Sequence, residues 1–328
     1  MSEKRCFIPP ATVLPLWAAE RLSGPFALFL YRHVSKPLAA LTGRLSALFP
    51  FPVAGVFAIG CMAAAAALIG CSFRNRRALR VLSRFLCALL SAYILLWDVL
   101  YALPAAPDGK LTAPSLNALC ERLIEETEEA IPAFLERNEA LLLDRALVLM
   151  RAQTGLPLER AKWTRFPGVF SALGISGLYF PLTGEALVNG DDLPDTLPFT
   201  ICHEMAHQAG WAREEDANYR AFLACEAGSD PLFRYSASFT MLIYAMEALY
   251  RADNAAWRAR VGVMSRALTD RFAAANGLMT AGPSRAQAAQ RAVTDAFLRF
   301  SGEADGVGSY ERAILLLAAH WGLTGGAT

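Results

Sequence analysis

Within Thr200–Glu226, which reads TICHEMAHQAGWAREEDANYRAFLACE, two histidines stand four residues apart with a glutamate directly after the first. Residues at i and i+4 lie one above the other on a helix, so His203 and His207 can both reach one metal ion. Glu204 falls beside that position and can serve as general base toward an attacking water. Two histidines and one carboxylate, with a fourth position left open, make up a common catalytic zinc site.

HExxH is a short pattern, and two satisfied core histidines are the plain alternative. Three features favour the metal. The chain has four histidines, two of which fall in this pattern. The neighbouring positions Phe199, Ile201, Met205 and Ala206 are apolar, which places the imidazoles on or near a buried face. Gly210 then suits a helix end, and Arg213-Glu214-Glu215-Asp216-Ala217-Asn218 begins a second, acidic helix. Glu214 is the expected third ligand. Glu215 is turned about 100° from it on a helix, so the two cannot face the metal equally. Asn218 lies four residues beyond Glu214 on the same face and can hydrogen-bond the outer nitrogen of a metal-bound histidine.

The stretch Gly177–Asn189 (GLYFPLTGEALVN) precedes Pro198–His207 and Gly210–Asn218. With Phe233-Arg-Tyr-Ser236 and Gly306-Val-Gly-Ser-Tyr310, it resembles the family known as domain of unknown function 3810. These are bacterial membrane proteins regarded as zinc metallopeptidases. The resemblance covers almost the whole chain. It implies membrane helices followed by a zincin-like α+β domain, with Zn2+ as cofactor. The glutamate-then-polar spacing of Glu214 and Asn218 is similar to that in other zinc peptidases, where aspartate usually fills the second position. Asparagine here is a departure.

The elements that must carry this site divide at about residue 110. Hydrophobic residues make up 55% of the 328 and charged residues only 19%, which is high and low for a soluble protein. From Leu45 to Phe73 no residue is charged, and Phe85–Ala106 contains one charge, Asp98. Transmembrane helices are therefore expected at about 51–72 and 85–106, with a further helix at 7–22 or a signal-peptide core in its place. Arg74, Arg76 and Arg77, with Arg80 and Arg84 close behind, mark the connection between the two long runs as cytoplasmic. Residues 111–328 then fall outside the membrane as the metallopeptidase-like domain. Arg21–Phe51 reads as a segment lying on the membrane surface, with His33 an interfacial residue.

The expected fold is mainly α, with a small strand region before the HExxH helix. Helices are expected at Ser115–Arg137, bent at Pro132, at Glu139–Thr154, and from Pro231 onward at 231–252, 255–276, 286–300 and 310–321. Glycines and aromatics between Trp163 and Asn189 indicate short strands and turns. Gly177–Pro181, with Tyr179, is the candidate edge strand for an extended substrate. Glu185 and Asn189 are read equally as site wall or as turn residues. Tyr235 could donate to a developing oxyanion, although aromatic packing is the safer reading. The cysteines show neither disulfide nor zinc-ribbon spacing.

The function expected from these features is a membrane-anchored zinc hydrolase cleaving peptide or protein substrates. A net charge of +1 gives no sign of nucleic-acid binding. The alternative is a zinc-stabilised binding or sensor domain, against which Glu204 stands, since a structural site needs no base. Charges at Asp191, Asp192, Asp195, Arg213 and Glu214 flank the motif too closely for a site inside the membrane.

Overall fold

The computed structural model describes residues 17, 24–73, 75–105, 109–135, 141–280, 284–300 and 310–324. The helix expected at 7–22 lies outside these residues except for Trp17, as do Arg74 and the stretch Gly306–Ser309. The described chain is mainly helical with one small sheet. It forms two units, residues 1–105 with 180–185, and residues 106–179 with 186–328.

In the first unit, α1 (Gly24–Leu30) passes through a π-helical turn, Tyr31–Ser35, into α2 (Lys36–Ala47). The surface segment expected here is thus helical almost throughout. It buries Ala27, Leu30, Ser35, Gly43 and Ser46 and exposes Phe29, Leu41, Leu45 and Leu48. His33 is exposed, its ring against that of Phe29. Pro52 sets the start of α3 (Val53–Ser72), and Asn75 caps α4 (Arg76–Leu96) by accepting the Arg77 N–H at 2.8 Å. Both helices are long and apolar enough to cross a bilayer, and most of their surface is exposed within the chain, unlike that of a soluble core helix. The second apolar helix covers Arg76–Leu96, starting ahead of the 85–106 run of the sequence reading. It begins at Arg76, because straight-chain arginines extend a helix readily. It ends at Leu96, where the chain tightens into a 3-10 turn, Asp98–Ala102, ahead of Pro104.

The second unit holds α5 (Ala113–Leu135), α6 (Leu142–Thr154), β1 (Lys162–Trp163), α7 (Pro167–Leu173), β2 (Gly177–Phe180) and β3 (Glu185–Val188). It continues through α8 (Leu197–Gln208), α9 (Glu214–Ala227), α10 (Pro231–Ala252), α11 (Asn254–Val263), α12 (Arg266–Thr280), α13 (Arg285–Phe300) and α14 (Tyr310–His320). Of β2 and β3, Phe180 and Glu185 belong to the first unit with the turn between them. The sheet order is β1-β3-β2, with Lys162 opposite Leu187 and Trp163 opposite Val188 in a parallel pair. β2 is therefore an edge strand.

Helix α10 is buried along most of its length and packs against α5, α8, α9, α11 and α14. Phe134, Phe222, Phe233, Tyr235, Phe239 and Met241 are among the largest fully buried side chains, each worth about 1.5–3 kcal/mol in burial. Two local departures from sequence expectation have simple causes. The helix expected at 255–276 is two helices, since Ser265 caps a new start by accepting the Leu268 N–H at 3.1 Å. The Trp163–Asn189 region contains α7, started by Pro167 and ended by Gly174 at φ +70°. Cys120, Cys202 and Cys225 are buried free thiols, and the last two hydrogen-bond one another.

Candidate metal centre

The local sequence builds the site in one pass. Proline in its first turn starts α8, and Gly210, at φ +104°, ends it. The Gly210 N–H bonds the His207 carbonyl at 3.0 Å and the Trp211 N–H bonds the Ala206 carbonyl at 3.2 Å. This is the paired closure by which a left-handed residue terminates a helix. It turns the chain so that the Trp211 carbonyl oxygen lies 2.7 Å from His207 Nδ1. Three residues later α9 begins with Glu214 in its first turn, where the helix's positive end favours a carboxylate.

His203, His207 and Glu214 come together, their ligand atoms all within 4.8 Å of one another. His203 Nε2 lies 3.3 Å from one Glu214 oxygen and His207 Nε2 3.5 Å from the other. Ligands at about 2.0–2.1 Å around a tetrahedral zinc stand roughly 3.3 Å apart along each edge, close to the two nitrogen–carboxylate distances, so the cluster could hold a metal ion. The bond to Trp211 fixes Nδ1 of neutral His207 as its N–H and leaves a lone pair on Nε2. That lone pair faces a carboxylate, an arrangement that calls for a cation between them. With only protons to supply it, burial opposes a charge on His207, but Glu214 outweighs burial and raises its pKa to about 9. Burial likewise works against the Glu214 anion, and His207 and His203 together hold its pKa well below the carboxylate range.

Glu204 is buried and is not one of the three clustered residues. Burial pushes its pKa up, partly offset by His203, His207 and the Tyr179 backbone N–H, which donates to it. Gly177 leaves the room for it. A Cβ there would sit 2.5 Å from both Cγ and Oε1 of Glu204. Edge strand β2 thus meets Glu204 through one absent side chain and one backbone donor.

The other candidates are placed differently. Tyr179 has a buried side chain and reaches the site through its backbone. Asn189 is buried and donates to Ser171 Oγ at 3.0 Å while accepting the Asp191 N–H at 3.2 Å, so it organises the loops on either side of the hairpin. Tyr235 donates to Asp195 at 2.6 Å and stacks on Phe239. Asp195 also pairs with Arg271 at 3.0 Å, and the position is core packing. Glu185 binds the start of α3. The hydrogen bond from Asn218 to a ligand's outer nitrogen is not made. His203 Nδ1 and Asn218 Nδ2 are both buried without a partner. Turning the Asn218 amide by half a turn exchanges its nitrogen for an acceptor. Three contributors escaped the sequence reading: the Trp211 carbonyl, the Gly177 space and the Tyr179 N–H. Only Gly177 left a trace, as a glycine inside a strand pattern.

The family model described as "Protein of unknown function (DUF3810)" matches residues 28–318. The chain belongs to this family. The match takes in every element from the surface helices to α14, the whole ligand set included. No curated protein and no solved structure matches the chain.

Proposed function

We propose that this family member is a zinc-dependent hydrolase acting on peptide bonds, with a zincin-like catalytic domain held outside the cytoplasmic membrane by α3 and α4. The observation that carries the reading is the ligand set. Two imidazole nitrogens lie 3.3 and 3.5 Å from the two oxygens of one carboxylate, all three ligand atoms within 4.8 Å of one another, and a buried glutamate that belongs to none of those contacts stands next in sequence to the first. A structural metal has no use for that fourth group.

His203, His207 and Glu214 would hold the ion, which supplies Lewis acidity toward a carbonyl oxygen and acidifies water. The Trp211 carbonyl keeps His207 in the tautomer that presents Nε2. Glu204, its pKa raised by burial, is a base able to take a proton from water at its carboxylate and return it to a leaving amine. The Tyr179 N–H and the Gly177 gap hold that carboxylate in one place. The exposed edge of β2 offers backbone groups to an extended peptide. Orientation follows from Arg74 between the two apolar helices and from Arg76, Arg77, Arg80 and Arg84 in the first half of α4, a basic cluster of the kind retained on the cytoplasmic side.

The test is cleavage of a peptide library by detergent-purified protein, with and without chelator, alongside metal analysis. Chelator-sensitive cleavage with about one zinc per chain is expected. Bound zinc without cleavage of any peptide would leave the binding or sensor reading instead.

A further inference from the structure

The first residue of β3 is a buried carboxylate that the His203–His207–Glu214 cluster does not use. Glu185 is 3% exposed. It accepts the N–H of Val53 at 2.9 Å, the N–H of Ala54 at 2.6 Å and the Thr183 hydroxyl at 2.9 Å. Val53 and Ala54 open α3, and the first N–H groups of a helix have no partner inside it. Pro52, at the cap position, makes no side-chain cap. Glu185 provides that cap from 131 residues further along the chain, with a negative charge against the positive end of the helix.

Two further contacts fasten the 180–185 turn. Gly184, at φ +66°, approaches α2 so closely that a Cβ would lie 2.7 Å from the Gly43 nitrogen and 2.8 Å from its Cα. The Phe180 ring meets that of Phe57 edge-on at 6.1 Å. Directly upstream, with no break in the chain, β2 carries Gly177 and Tyr179, the residues that confine Glu204.

We propose that Glu185 is a positioning residue: by seating the 180–185 turn on the start of α3, it sets the placement of β2 and, through Gly177 and Tyr179, the Glu204 carboxylate. The effect on turnover rests on the hydrolase reading; the effect on the strand does not.

The experiment is hydrogen–deuterium exchange over residues 177–188 of the full chain in detergent, with zinc content measured in parallel. Glu185→Gln removes the charge and half the acceptor capacity. Val53→Pro approaches the contact from the other side. It deletes one donor at a helix position where proline fits, and leaves Glu185 intact. In Glu185→Gln the amides of 177–180 should exchange about tenfold faster, and Val53→Pro should show a smaller rise at the same amides. Protection of α8 and α9 and the zinc content should stay at wild-type levels, and kcat should fall in Glu185→Gln. Unchanged exchange at 177–180 in both variants, or a rise spread equally over α8 and α9, overturns the proposal. A wild-type protein that binds zinc and cleaves nothing sinks the hydrolase reading, and the exchange comparison still decides the positioning role.

Discussion

The carbonyl oxygen of Trp211 lies 2.7 Å from Nδ1 of His207. A backbone atom four residues on therefore sets the tautomer of a side chain in the His203–His207–Glu214 cluster, and Gly210 sets that backbone. In zinc sites the partner of a ligand's outer nitrogen orients the ring and raises its basicity. Here the partner cannot be removed by changing its own side chain.

Gly210→Ala tests the arrangement from one residue away. At φ +104° a side chain is strained, at a cost of about 1–3 kcal/mol. Zinc affinity should fall about tenfold or more as the carbonyl shifts. Trp211→Phe should retain it. Competition with a chromogenic chelator reads both.

The third ligand is separable from its neighbours. Glu214→Ala should lose zinc. Glu215→Ala should keep it and lose stability, because Glu215 pairs with Arg312 at 3.0 Å with both side chains largely buried. Breaking a buried pair costs about 3–5 kcal/mol, or roughly a 10 °C drop in Tm for a domain of this size. Zinc loss in Glu215→Ala with full occupancy in Glu214→Ala would reverse the assignment.

Glu204→Gln should leave zinc in place and slow hydrolysis by about 10²–10⁴, the usual worth of a general base. Disappearance of the metal together with activity would show that Glu204 is a ligand.

Gly177→Ala should mimic that loss without touching a titratable group. The added Cβ meets the Glu204 side chain at 2.5 Å, so the carboxylate must move while His203, His207 and Glu214 stay. Activity should drop with zinc stoichiometry unchanged. A fully active Gly177→Ala enzyme would mean that the base has room to spare.

How much of this was readable in advance follows sequence distance. His203, His207 and Glu214 were legible because helical periodicity and a short connection bring them together. Tyr235 resisted because its partner Asp195 is 40 residues away, and nothing local separates a core tyrosine from a catalytic one. Glu185 resisted for the same reason, since the helix it caps begins 132 residues earlier. The start of the second apolar helix was not legible because the arginines of Arg76–Arg84 break the apolar run while still propagating a helix.

Topology has its own check. Ser229, exposed just after α9, can be changed to cysteine in a background without Cys71. An impermeant thiol reagent should label it in intact cells. Labelling only after lysis would place the domain in the cytoplasm.

The ligand set is also a statement about the order of assembly. His203 and Glu214 lie within twelve residues of one another, and closing so short a loop costs little chain entropy. The residues that confine Glu204 arrive on a hairpin whose anchor is residue 53, a closure an order of magnitude longer. Local contacts form early and distant ones late. A nascent chain would thus bring His203, His207 and Glu214 together before Glu204 was confined, and that confinement would wait for the long-range closure.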